Sequence, residues 1–151
     1  MDLKPLPPQV AESAPVLPFN RFIQDEPSMG EALIRRLRTG YPAALVKQAG
    51  EYFKVPEKRL CDILGVSAST LHRRTTRVAS LDPAASERMH RIAMLSREAL
   101  EAFGDDALAR EWLLRPNQAL GDSPPLDLLD TEVGATAARR ILVAISEGGV
   151  V

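Results

Sequence analysis

Cysteine is nearly absent from this chain. Cys61 is the only one in 151 residues, which excludes an internal disulfide, and neither His72 nor His90 stands at metal-ligand spacing from it. Aromatic residues make up 5%, so a core must be built largely from Leu, Ile, Val and Ala within a hydrophobic content of 45%. No run approaches the roughly 18 apolar residues of a membrane span. The first twenty residues, MDLKPLPPQVAESAPVLPFN, lack the apolar centre of a secretion signal, so a cytoplasmic protein without a membrane partner is expected. Alternating strand patterns are missing throughout. The net charge is −1, and the total therefore gives no reason to expect nucleic acid.

Catalytic equipment is missing too. Cys61 falls at a predicted helix crossing, and neither histidine comes with a placed carboxylate or a strained nucleophile turn. There is no phosphate-cradling glycine loop and no metal motif, so the catalytic and metal sites are both read as none.

What is present is helical periodicity with clear punctuation. Six of the twelve prolines precede residue 28, which reads as an extended proline-rich arm over residues 1–27. Ser28 with Glu31 has capping-box spacing ahead of Leu33 and Leu37, and Gly40 supplies a stop. Pro42 is expected in the first turn of a second helix with Leu45, Val46, Ala49 and Phe53 on one side, interrupted at Val55-Pro56. Pro56 opens a third, with Leu60, Ile63 and Leu64 inward and Gly65 at the turn, and Ser67 caps a fourth. Asp82 and Pro83 begin a long helix through Ala85, Met89, Ile92, Ser96, Ala99 and Phe103, ended by Gly104. Asp106 is expected to cap a helix carrying Leu108 and Trp112, ended by Pro116, and Thr131 a last one with a stripe of Val133, Ala137, Ile141 and Ile145 and with Ala138 and Leu142 beside it. The fold class is all-α.

Residues 57–76, EKRLCDILGVSASTLHRRTT, fit a helix-turn-helix: Leu60, Leu64, Val66 and Leu71 for the shared core, small Cys61 at the crossing and Gly65 at the turn. Arg74 occupies a position usually apolar in that motif, so the second helix is expected to pack through Leu71, Thr75 and Val78. Projection at about 100° per residue leaves Ser69, Thr70, Arg73, Thr76 and Arg77 outside. These side chains suit DNA: arginine pairs with guanine edges or phosphates, and hydroxyls bond phosphates. The same arginines also fit a merely solvated helix face. Charge distribution favours a divided role, since residues 63–81 hold Arg73, Arg74 and Arg77 and no acid, whereas residues 99–151 hold nine acids against four bases.

Trp112 reads as core, packed against the last helix. Pro116, Pro124 and Pro125 act as helix punctuation, and a rigid loop also suits a protein-binding surface; spacing alone does not separate the two.

FGDDALAREWL (103–113), RPNQALGDSPPLDLLDTEVGA (115–135) and the closing helix with Gly148 resemble antitoxins of the Xre/MbcA/ParS toxin-binding family, partners of RES-domain toxins. The likeness covers about residues 41–151, LDPAASERMHRIAML (81–95) included. GDSPP stands where such antitoxins more often carry a second glycine and one proline, and EGGVV replaces an ending that often has an aromatic. After the proline-rich arm (1–27), the resemblance implies two parts, a helical DNA-binding and dimerising region (28–96) and a toxin-binding domain (97–151). It implies a cognate NAD-consuming RES toxin blocked sterically, operator DNA in the chain's own promoter as a second partner, a homodimer, and no cofactor. By the same resemblance, Arg139, Arg140, Glu147, Gly148, Gly149, Val150 and Val151 face the toxin. The contrasting reading is a freestanding helix-turn-helix regulator whose C-terminal half only dimerises.

Overall fold

In this computed structural model, which describes residues 18–148, every regular element among the described residues is helical. Eight α-helices follow in order: α1 Phe19–Asp25, α2 Glu31–Thr39, α3 Leu45–Phe53, α4 Glu57–Leu64, α5 Ala68–Thr76, α6 Pro83–Phe103, α7 Asp106–Leu114 and α8 Glu132–Ser146. Two short 3-10 turns, Gln118–Leu120 and Pro125–Leu128, bridge the last two. The boundaries follow local chemistry. Ser67, Asp82 and Thr131 each accept a backbone N–H from three residues on, at Thr70, Ala85 and Gly134, and so satisfy donors that a helix start leaves open.

α6 is the spine. It packs against α1, α2, α4, α7 and α8. Met89, Ile92, Leu95 and Ala99 along it are fully buried, in one apolar cluster that runs from Phe53 and Leu64 to Leu113, Leu126 and Leu129. A core built largely from Leu, Ile, Val and Ala is what the composition called for, and the helices close on one another through small residues such as Ala93, Ala109, Ala135 and Ala138.

Several helix boundaries and faces differ from those the residue pattern predicts. The N-terminal arm is not extended throughout. Residues 19–25 form α1, whose Phe19, Phe22 and Ile23 are buried, while the rest of the proline-rich stretch up to residue 17 lies outside the described residues. Burying one phenylalanine is worth about 2–3 kcal/mol, so a short proline-flanked helix pays its ordering entropy through those three side chains. Ser28 does not cap α2; Gly30 precedes the helix with φ 95° and no side-chain cap. Pro42 lies before α3, in a bridge with Ser80, where Ala43 N–H donates to the Ala79 carbonyl and Leu81 N–H to that of Tyr41. Asp105, one residue earlier than expected, caps α7. The buried face of α7 is Ala109 and Leu113, with Leu108 outward, and that of α8 is Ala135, Ala138, Ile141 and Leu142, with Val133 outward. Trp112 is partly buried and packs on Phe103 of α6, with ring centroids 6.1 Å apart.

α1 is fastened by a polar network. Arg97 of α6 donates to the Ile23 and Glu26 carbonyls, both at 2.6 Å, and the Glu26 carboxylate accepts from Arg36 at 3.0 Å and from the Tyr41 hydroxyl at 3.2 Å. Glu26 is only 4% exposed, and burial outweighs Arg36, Tyr41 and Arg97 in pushing its carboxyl above the ordinary 4.5. A carboxyl whose pKa is higher in the folded chain stabilises it in acid, and that stability fades as pH climbs from about 4.5 through the raised value. Glu26→Gln keeps the acceptor for Tyr41 without the buried charge. Its stability relative to the parent is therefore expected to improve from pH 4 to pH 7 in urea melts. A deficit that grows over that interval would show instead that the Arg36 ion pair dominates.

Candidate functional site

Two exposed faces carry the residues singled out above. The first is built by α4, the turn at Gly65 and α5. Leu60, Leu64 and Leu71 are buried and Val66 is half-buried, forming the small core that the motif requires. Gly65 has φ 70°, and a Cβ there would collide with the Arg88 guanidinium, which reaches back from α6 to donate to the Leu64 carbonyl at 3.0 Å. The turn thus needs glycine for its positive φ, whereas the Arg88 head group can swing away at the cost of its bond to Leu64.

Helix α5 sits in a rotation that differs in detail from the expected one. Arg74 takes the inward position: half-buried, it donates to the Ser80 carbonyl at 2.9 Å, and Ala79 N–H donates to its own carbonyl at 2.8 Å. Thr75 is exposed and bonds the Leu71 carbonyl, and Val78 is 72% exposed with φ 54°. An arginine stem covers apolar surface while its head caps the turn that ends the helix, which is how a charged residue fills a normally apolar position. The opposite side carries Ser69, Arg73, Thr76 and Arg77 exposed, with Thr70 half-buried. Thr70 accepts from the Ser67 hydroxyl at 2.8 Å and Thr76 donates to the His72 carbonyl at 2.9 Å, leaving each oxygen spare acceptor or donor capacity. Arg73 and Arg77 form no ion pair among the described residues. They project as two uncompensated charges.

The second face lies on α8 and the loop before it. Arg139 is committed within the fold: its Nε donates to both oxygens of Glu98, at 3.0 and 2.9 Å. Arg140 is exposed and unpaired among the described residues, Glu147 follows the helix exposed, and Gly148 has φ 81°. Gly149, Val150 and Val151 lie outside the described residues. The loop from Arg115 to Thr131 is held at many points. Asn117 bridges to Ser123, Leu126 and Leu129 are fully buried, Arg91 of α6 donates to the Leu129 carbonyl at 2.7 Å, and Arg59 of α4 grips Asp127 with two bonds of 2.8 and 3.1 Å. Those arginine anchors were missed in the sequence, because nothing local marks a partner 38 or 68 residues away.

Neither face presents groups poised for chemistry. Cys61 is buried, and burial first, with Glu57 and Asp62 after it, pushes its thiol pKa up, the reverse of what a nucleophile needs. His90 is pushed below its ordinary value by burial and by Arg97, and its Nδ1 lies 3.1 Å from the Tyr41 hydroxyl. Among the described residues no cluster of His, Cys, Asp and Glu is arranged to hold a metal, and no helix is long and apolar enough to cross a membrane.

Residues 98–148 match the family described as the antitoxin Xre/MbcA/ParS C-terminal toxin-binding domain, and residues 32–94 match the antitoxin Xre-like helix-turn-helix domain. The chain is 26% identical over 122 residues to the "Antitoxin Xre" of Yersinia enterocolitica, covering 80% of this chain and 82% of that protein. It is 26% identical over 132 residues to the "Antitoxin Xre" of Photorhabdus laumondii, covering 87% and 89%. A "Prs ADP-ribosylating antitoxin" of Sphingobium sp. is 30% identical over 121 residues, covering 74% and 76%.

Proposed function

The chain belongs to the Xre/MbcA/ParS family of antitoxins, with a helix-turn-helix DNA-binding domain, and from that premise we propose that it blocks the active site of a cognate NAD-consuming RES-domain toxin while repressing its own operon. The observation that carries the reading is the match of residues 98–148 to a toxin-binding domain. The name of the Sphingobium relative speaks of ADP-ribosylation, a reaction that draws its ADP-ribose from NAD, and this supports NAD chemistry in the pair. In this reading α8 and the tail that follows it approach the toxin. The rigid Arg115–Thr131 loop keeps α8 in place, so little conformational freedom is lost on binding. Arg140, Glu147 and Gly148 contribute from the described part, and Gly149, Val150 and Val151 beyond it. Arg139 acts mainly by fixing α8 on α6. Inhibition is steric and needs no cofactor of the antitoxin's own. The α5 face, through Ser69, Thr70, Arg73, Thr76 and Arg77, meets operator DNA, and a homodimer presents two such helices to two half-sites.

Co-expression tests this. Cells making the cognate toxin with full-length antitoxin should keep their NAD and grow; deleting residues 146–151 should restore toxicity and NAD loss while operator binding persists. Undiminished protection by the truncated chain would leave a freestanding regulator as the better description.

A further inference from the structure

Two ion pairs reveal how α6 and α8 lie together. Arg91 pairs with Glu132 at 3.2 Å and Glu98 with Arg139 at 2.9 Å, and both pairs are 41 residues apart. The helices are therefore parallel and in register, and their C-terminal ends emerge side by side. Between those ends runs a groove of about 320 Å³, floored by Leu142 and by Val143, which is 50% exposed, and rimmed by Glu98, Glu101 and Glu147, with Arg139 alongside.

The charge of this groove is one-sided. Arg139, its single cation, is already spent on Glu98, which leaves Glu101 and Glu147 without a partner among the described residues. Neither α6 nor α8 has a basic residue in its last turn, where cations ordinarily offset the negative end of a helix dipole. Two parallel helices bring two such ends to one place. An apolar floor with a negative rim fits a long cationic side chain, which lays its methylenes on carbon and its head group among carboxylates.

We propose that the groove between α6 and α8 receives a basic side chain of the toxin, a lysine or arginine whose stem rests on Leu142 and Val143 and whose head meets Glu101 and Glu147. The proposal rests on the toxin-binding reading above and extends it to a second contact, contributed by the long helix. The groove is continuous with the proposed tail contact, since Glu147 lines it and Gly148 leads directly into residues 149–151. The chain's own Gly-Val-Val segment carries no cationic side chain, so the carboxylate rim is not matched to it. Operator DNA, a polyanion, is repelled from the same rim, which keeps the two partners on separate faces.

The test uses full-length antitoxin and the purified cognate RES toxin, with binding kinetics measured at two salt concentrations. Glu101→Lys with Glu147→Lys should weaken toxin binding about 10-fold, mostly through a slower association rate, and Glu101→Gln should fall between. Parent binding should weaken with salt, and the reversed variant should lose that dependence. Should the double variant fail to fold, the salt dependence of the parent and the Glu101→Gln affinity still decide: parent affinity indifferent to salt overturns the proposal. Unchanged affinity of a folded variant overturns it too, and if deletion of residues 146–151 still abolishes protection, the proposed function survives that loss. A variant that changes the oligomeric state instead of toxin affinity would assign the groove to a second copy. An affinity loss that vanishes once residues 149–151 are removed from both proteins would assign it to the tail.

Discussion

Gly134→Ala is expected to lower the melting temperature of the antitoxin by about 4–8 °C, against the usual preference of helices for alanine. Gly134 lies in the first turn of α8, where its N–H donates to the capping hydroxyl of Thr131 at 3.0 Å. A Cβ added there would overlap the Leu128 carbonyl oxygen and come to 2.9 Å from both the carbonyl carbon and the Cβ of that residue. These are backbone and near-backbone atoms, so no flexible side chain can swing away. Nor can the turn itself retreat. Leu126 and Leu129 on either side are fully buried, Arg91 holds the Leu129 carbonyl, and Arg59 holds Asp127. Overpacking a well-fixed site costs about 1–3 kcal/mol or more, whereas replacing glycine by alanine in a helix returns at most about 1 kcal/mol. A net loss of about 2 kcal/mol should appear in thermal melts followed by circular dichroism. Since α8 is the helix proposed to face the toxin, protection in co-expression should weaken together with stability. A melting temperature equal to or above that of the parent would mean that the Leu128 turn yields easily, and the rigid-loop argument would fall with it.

How far the fold could be read in advance depended on whether its determinants were local. Ser67, Asp82 and Thr131 act as caps where their positions predict, and Gly40, Gly65 and Gly104 end helices with positive φ, because each of these effects involves residues within four of one another. α1 escaped notice since prolines on both sides mask it, although Phe19, Phe22 and Ile23 already have the spacing of one helical face. Leu108 and Val133 were placed inward by periodicity alone; the packing partners decide otherwise, and α7 and α8 turn their alanines to the spine instead. Arg74 shows a different limit. A charge at an apolar position looked like a reason to rotate the helix, when its actual partner is the Ser80 carbonyl just beyond the helix end. The outward placement of Ser69, Arg73, Thr76 and Arg77 was legible because Leu71 alone sets the phase of α5. The groove between α6 and α8 was not. Glu98 and Glu101 look like ordinary surface acids until parallel packing brings Arg139, Val143 and Glu147 beside them.

Replacing Arg73 and Arg77 together by alanine should reduce operator affinity about 100-fold and shallow the dependence of log K on log salt by about 1.8 per chain. Both guanidiniums lie on the exposed side of α5 with no ion pair to give up among the described residues, so DNA would gain their full charge on contact. Each phosphate neutralised releases condensed counterions, and a slope of about 0.9 per contact is the signature that separates this role from a solvated helix face. Arg74 is left intact in this variant because it anchors the Ser80 turn; its loss would disturb the helix and confuse a binding defect with a folding one. Neither substituted side chain touches the buried cluster, and the melting temperature should stay within a degree or two of the parent. Mobility-shift titrations at two salt concentrations, with operator and with unrelated DNA of equal length, supply both readouts. Loss confined to the operator would assign the arginines to base edges, and loss shared by both DNAs to phosphates. Equal affinity and equal salt slope in parent and variant would remove the α5 face from DNA recognition. The basic stretch between residues 63 and 81 would then have to be explained as solvated surface.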